Sequence, residues 1–213
     1  MELNAAVKRI RPLFYQGSSI RRNTVYHALP FEEYKISSHR KDTLSRWSLI
    51  SNYIDFYNKF VIDIGCNIGG FSMLSSLTGA KNVCGYDYDK ESLDIGKILI
   101  RLKEIKNVNL IEKNIDLKFA NELEECDIIL WLSQWMWCVK QQGMNIAKEM
   151  LKIISSKTKI MVFESSAEDG MAGIKGMTQN DVYEYLKESS GFKTIFNAGV
   201  CNDWGKRNIY ICK

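Results

Sequence analysis

The sequence predicts a Rossmann-like α/β fold, a mostly parallel sheet with helices on both faces. Three observations carry this. From residue 60 onward, short apolar runs alternate with segments of helical periodicity. Val61-Ile-Asp-Ile-Gly-Cys-Asn-Ile-Gly-Gly-Phe71 passes from an apolar run through a glycine-rich turn into a helix-like segment. Val83-Cys-Gly-Tyr-Asp-Tyr-Asp89 then forms a second short strand ending on Asp87, 22 residues after Gly65. This is the grammar of a βαβ unit that binds a nucleoside. Gly65 and Gly69 permit a tight turn and close ligand approach, and the Asp87 carboxylate suits ribose hydroxyls.

In chain order, Leu3, Ala6, Val7 and Ile10 fall at helical spacing, and Pro12 ends that helix. Both prolines, Pro12 and Pro30, precede residue 31, so the first forty residues read as a lead-in and the rest as regular α/β. Residues 13–40 are expected to be irregular or short strand. From Thr43, the apolar positions Leu44, Trp47, Ile50, Ile54 and Tyr57 predict a helix leading into the first strand. Strands are predicted near 60–64, 82–86, 107–111, 126–131, 158–163, 192–197 and 207–212, and helices near 70–78, 90–103, 140–155 and 178–189. Asp89 is placed to cap the second of these helices, and Thr178 with Asp181 reads as a capping box for the last. About ten residues without a helix join the last two strands, which predicts a hairpin.

The glycine loop departs from the dinucleotide pattern G-x-G-x-x-G. Asn67 stands where the second glycine should be, and Asp63 lies inside the first strand. An acid there repels a pyrophosphate but suits the cationic ammonium and sulfonium of S-adenosylmethionine (SAM). At these residues the chain resembles class I SAM-dependent methyltransferases from about residue 40 onward. The D-x-G-C-N-x-G form, Leu132-Ser133 and the closing Gly205-Lys-Arg-Asn-Ile-Tyr-Ile-Cys212 are similar to a narrower set. That set comprises methyltransferases associated with surface polysaccharides and RNA-capping enzymes that methylate a terminal phosphate. The resemblance implies seven strands with the last antiparallel, a SAM cofactor and no metal. Relatives often carry His after the Leu-Ser pair, whereas this chain reads Gln134-Trp-Met-Trp137.

Ligands of an open α/β sheet lie over the carboxyl ends of the strands. Those ends supply Gly65, Cys66, Asn67 and Gly69, then Asp87 and Tyr88, then Asn114 and Ile115 with Asp116 as a weaker candidate, then Leu132 and Ser133. With Asp63, these are the expected cofactor residues. The resemblance adds Tyr15-Gln16, a pair that covers the cofactor in similar enzymes. It also implies adenine packing for Tyr88 and adenine recognition for Asn114.

Methyl transfer needs alignment and a dry site, and a base only where the nucleophile is not already ionised. His39 and Glu164 are the candidate bases. Arg21, Arg22, Arg40, Arg46 and Arg207 form the pool for an anion clamp, since Arg grips oxyanions bidentately. Trp135 is a further candidate at the acceptor surface, weighed against simple core packing. Residues 1–47 are read as a lid or lead-in to a single domain spanning 1–213.

Composition sets the remaining bounds. The 29 basic and 25 acidic residues give a net charge of +4, too mild to argue for nucleic acid. No apolar run reaches the ~20 residues that span a membrane, and Glu2, Asn4, Lys8 and Arg9 interrupt any signal-like segment. The six cysteines are scattered, as expected for packing in a reducing, cytoplasmic compartment. The expected activity is O-methylation of a small molecule or surface-glycan precursor, preferably a phosphate or sugar phosphate. RNA methylation and a non-catalytic SAM-binding partner subunit are the alternatives.

Overall fold

The computed structural model describes residues 24–27, 31, 37–166, 174–202 and 206–213. In chain order these form β1 (Thr24–His27), β2 (Ser37–Arg40), α1 (Thr43–Ser51), β3 (Phe60–Ile64), α2 (Gly70–Leu77), β4 (Asn82–Asp87), α3 (Lys90–Leu102) and β5 (Val108–Glu112). They continue as α4 (Leu117–Glu122), β6 (Cys126–Leu132), α5 (Trp135–Gln142), α6 (Met144–Ser155), β7 (Thr158–Glu164), α7 (Gln179–Ser189), β8 (Ile195–Cys201) and β9 (Arg207–Cys212). The helix expected before Pro12 lies outside the described residues.

Strands β3 to β9 make one seven-stranded sheet in the order β5-β4-β3-β6-β7-β9-β8. All neighbours from β5 to β7 pair parallel, and β9 runs antiparallel to both β7 and β8. The final strand is therefore the reversed one. β1 and β2 pair parallel in a separate small sheet.

Side chains on a strand alternate between faces, and the core divides accordingly. Ile62, Ile64, Ile129, Trp131 and Phe163 face α4, α5, α6 and α7 in one cluster. Val61, Ile128, Leu130, Val162, Ile209 and Ile211 face α1 and α2 in a second. A third cluster joins α3 to Ile68, Met73 and Leu110. Burial of these fully enclosed aliphatic chains contributes ~1.5–3 kcal/mol each.

Local signals explain the boundaries. The Asp89 side chain accepts from the Glu91 N–H, and Thr178 and Asp181 form a reciprocal capping box. One expected helix, 140–155, is instead two. Gly143, at φ +87, separates α5 from α6, and the apolar Trp135-Met-Trp-Cys-Val139 run is the first of them. In α1 the helix stops at Ser51; Trp47, Ile50 and Ile54 are buried, but Leu44 and Tyr57 face solvent. β8 begins three residues later than expected.

Candidate cofactor and acceptor site

The turn after β3 is built by glycine geometry and backbone hydrogen bonds. Gly65 and Gly69 take φ values of +75° and +76°, in the left-handed region that favours glycine. The Gly65 and Cys66 N–H groups both donate to the Tyr86 carbonyl, at 2.8 and 3.0 Å. Asn67 is also left-handed, at φ +51, a conformation Asn tolerates better than other side chains. Its backbone N–H donates to Asp87 Oδ2 at 2.7 Å, and its amide donates to Ser92 Oγ at 3.2 Å. The residue that breaks the dinucleotide pattern thus ties the loop to β4 and α3.

Asp87 closes β4 with its carboxylate largely buried, accepting from the Asn67 and Asp89 N–H groups. Burial raises its pKa, and those two backbone donors oppose the rise. Asp63, enclosed in β3, accepts from Ser72 Oγ at 2.6 Å. Burial pushes its pKa up to about 7, with Ser72 pulling down, Asp87 adding to the rise and Arg46 opposing it. Both acids would gain from partners that offset their desolvation, a cation for Asp63 and hydroxyl donors for Asp87. Burial also raises the Cys66 thiol, so this residue packs rather than reacts.

The other strand ends are less uniform. Tyr88 is 66% exposed beside Asp87. Asn114 is exposed, while Ile115 is in the core and its carbonyl accepts from Gln142 Nε2 at 3.1 Å. Asp116 caps α4 by accepting from the Phe119 N–H at 2.8 Å.

At the ends of β6 and β7 the structure joins residues that are far apart in sequence. Leu132 is buried, and Ser133 adopts φ +59, a strained conformation for Ser. Ser133 Oγ donates to Glu164 Oε1 at 2.5 Å and accepts from Arg207 Nη1 at 3.0 Å. Arg207 Nη1 lies 3.4 Å from the same Glu164 oxygen. Arg46, from α1, pairs through Nη2 with Glu164 Oε2 and lies over the Phe71 ring, 4.9 Å from its centroid. Arg46 and Glu164 have no solvent exposure. The Arg46 Nε and Nη1 groups have no hydrogen-bond partner among the described residues.

Two expectations change in this light. Trp135 does not line an acceptor surface. It is fully enclosed, donates from Nε1 to the Ala147 carbonyl at 3.0 Å and packs on Phe163 and Tyr185. Glu164 is not a lone carboxylate aimed at a substrate but the hub of a buried two-arginine network. Tyr15, Gln16, Arg21 and Arg22 lie outside the described residues, and of His39 and Arg40 only the backbone, in β2, is described. The residue that sequence reasoning missed is Gln134, whose side chain packs against Gly65.

The glycine turn, the acid inside β3, the acid at the end of β4, and the sheet order define a class I SAM-dependent methyltransferase. The family model for ribosomal protein L11 methyltransferase (PrmA) matches residues 48–193, and the chain belongs to that family. The L11 methyltransferase of Thermoanaerobacter sp. (strain X514) is 29% identical over 110 residues, 47% of this chain and 34% of that protein. The rRNA N(6)-adenosine-methyltransferase METTL5 of Danio rerio is 26% identical over 84 residues, 39% of this chain and 40% of that one. The bifunctional kinase-methyltransferase WbdD superposes with a TM-score of 0.79 at 19% identity, over 96% of this chain and 46% of its own, a likeness of fold. The matched segments thus span less than half of each of these relatives. SAM is the cofactor, and Gly65, Gly69, Asp63 and Asp87 are the residues that would hold it, the glycines by close backbone approach, Asp63 toward its cationic end and Asp87 toward its ribose. Among the described residues no helix is long and apolar enough to cross a membrane.

Proposed function

We propose that the chain methylates an oxygen of a small molecule or surface-glycan precursor, that oxygen belonging to a phosphate or sugar phosphate. The observation that carries this reading is the buried cluster at the carboxyl ends of β6 and β7. There two guanidinium groups, Arg46 and Arg207, meet one carboxylate, Glu164, and two Arg46 nitrogens lack partners among the described residues. A buried unmet donor costs ~1–3 kcal/mol, and a guanidinium recovers this best from an oxyanion. SAM supplies a methyl group already activated by its sulfonium. An ionised acceptor oxygen then needs alignment rather than a base, which suits a site where Glu164 is held by two arginines.

The test is a screen of sugar phosphates, nucleotide sugars and neutral glycans with labelled SAM. Sugar phosphates are expected to accept the methyl group. Arg46→Met should lose ~100-fold in kcat/KM, the ~3 kcal/mol of a charged hydrogen bond, while affinity for S-adenosylhomocysteine (SAH) stays within about threefold. Turnover of neutral glycans alone, with collapse only in His39→Ala, would replace this reading with base-assisted attack by a hydroxyl. A parallel fall in SAH affinity would assign Arg46 to the cofactor instead.

RNA or a ribosomal component is the second reading, favoured by the names of the L11 and rRNA methyltransferase relatives. A short RNA whose binding weakens steeply between low and physiological salt would support it.

A further inference from the structure

Gln134 follows the strained Ser133 turn, and its side chain lies across the cofactor loop. A Cβ placed on Gly65 would fall 2.4 Å from Gln134 Cγ and 2.8 Å from its Cβ. The direction of its amide is set by chemistry. Trp131 Nε1, which can only donate, donates to Gln134 Oε1 at 3.0 Å, and Cys138 Sγ lies 3.2 Å from the same oxygen. Trp131 is fully buried, so reversing the amide would leave its N–H facing another donor. Oε1 is therefore fixed inward, and Nε2, with no partner among the described residues, is a donor on a half-buried side chain, open to a ligand or to solvent.

Its place in the fold limits what that acceptor is. The strand order β4-β3-β6 sets Asp87 on one side of Gly65 and Gln134 on the other. A nucleoside held at Asp87 and crossing Gly65 would bring its other end toward β6. There Ser133 also begins the Glu164–Arg207–Arg46 cluster. The ammonium and sulfonium of SAM are cationic and do not accept hydrogen bonds. We infer that Gln134 is an oxyanion-binding residue at the junction of cofactor and acceptor, its Nε2 donating to an anionic oxygen. That oxygen comes from the methionyl carboxylate of SAM or from the methyl acceptor; only the second source rests on the reading proposed above.

Glu is the cleanest substitution, because Gln134→Glu keeps an oxygen for the Trp131 N–H and turns the outward donor into an anion. Gln134→Met removes both polar ends at similar length. Calorimetry on both variants and on the unsubstituted protein would use three probes: SAH, its decarboxylated analogue, and methyl phosphate added to SAH-loaded protein. If the methionyl carboxylate is the partner, the preference for SAH over the decarboxylated analogue falls about tenfold in Gln134→Met and further in Gln134→Glu. Methyl phosphate binding is then unchanged. If the acceptor oxygen is the partner, SAH binding holds while methyl phosphate weakens at least fivefold in Gln134→Met and is lost in Gln134→Glu. Variants that bind all three probes like the unsubstituted protein would overturn the inference. Failure of the unsubstituted protein to bind methyl phosphate would sink the anionic-acceptor reading alone, and the comparison of SAH with its analogue would still decide the role of Gln134.

Discussion

Asp63 has a folded-state pKa of about 7 against an ordinary carboxyl value of 3.8, because burial penalises its charge more than Ser72 and Arg46 relieve it. The native protein therefore holds a proton that the unfolded chain has lost between about pH 4 and pH 7. Across that window the contribution of Asp63 to stability falls as pH rises, and the cost is fully present above pH 7. A cation beside Asp63 reverses the balance in the complex by favouring the carboxylate. SAH carries the same ammonium group as SAM, so its affinity should rise with pH from about 5.5 to 7, by up to roughly tenfold per unit, and level off above. Calorimetry on Asp63→Asn should show a flat profile and weaker binding at pH 8. An unchanged slope in that variant would remove Asp63 from the cofactor's cationic end.

One helix is pressed against the cofactor loop more closely than its sequence pattern suggests. A Cβ on Gly96, in the middle of α3, would lie 2.4 Å from the Ile68 carbonyl oxygen and 2.5 Å from Leu110 Cδ1. Alanine in a free helix would stabilise it by ~1 kcal/mol, but here the obstacle is loop backbone that cannot step aside. Gly96→Ala is thus expected to destabilise the fold by ~1–3 kcal/mol in a denaturant titration and to weaken SAH binding by shifting Asn67. An increase in stability would show that the loop yields. Elements of this kind mark the boundary of what local patterns reveal. The Gly65–Gly69 turn, the Asp87 strand end, the Asp89 cap and the Thr178–Asp181 box were legible because each depends on neighbours in sequence. The split at Gly143 was not, because Trp135-Met-Trp-Cys-Val139 is apolar on every side and hides its period. The six-residue α4 is too short to show one.

Across the whole molecule, the feature with no local signal is the pairing of Arg46 with Glu164, 118 residues apart, with Arg207 completing it from the last strand. As single residues these read as members of an anion-clamp pool and as a candidate base; only the sheet order brings α1, β7 and β9 together at one end. The same long-range folding sets Gln134 on Gly65, which explains why the loop was readable and its neighbour across the site was not. Because Glu164 bridges three segments in a buried setting, losing its charge leaves two enclosed guanidinium groups with too little negative charge. Removing one partner of such a network costs about 3–5 kcal/mol. For a chain of 213 residues, Glu164→Gln should therefore lower the Tm by roughly 6–20 °C. A simultaneous Arg46→Met, which removes one of the stranded cations, should recover part of that loss, because coupled sites are not additive. A general base would behave differently: Glu164→Gln would leave the Tm near its original value and abolish methyl transfer alone. Scanning calorimetry of both variants beside the methylation screen separates the two roles, and an unchanged Tm would return Glu164 to the list of catalytic candidates.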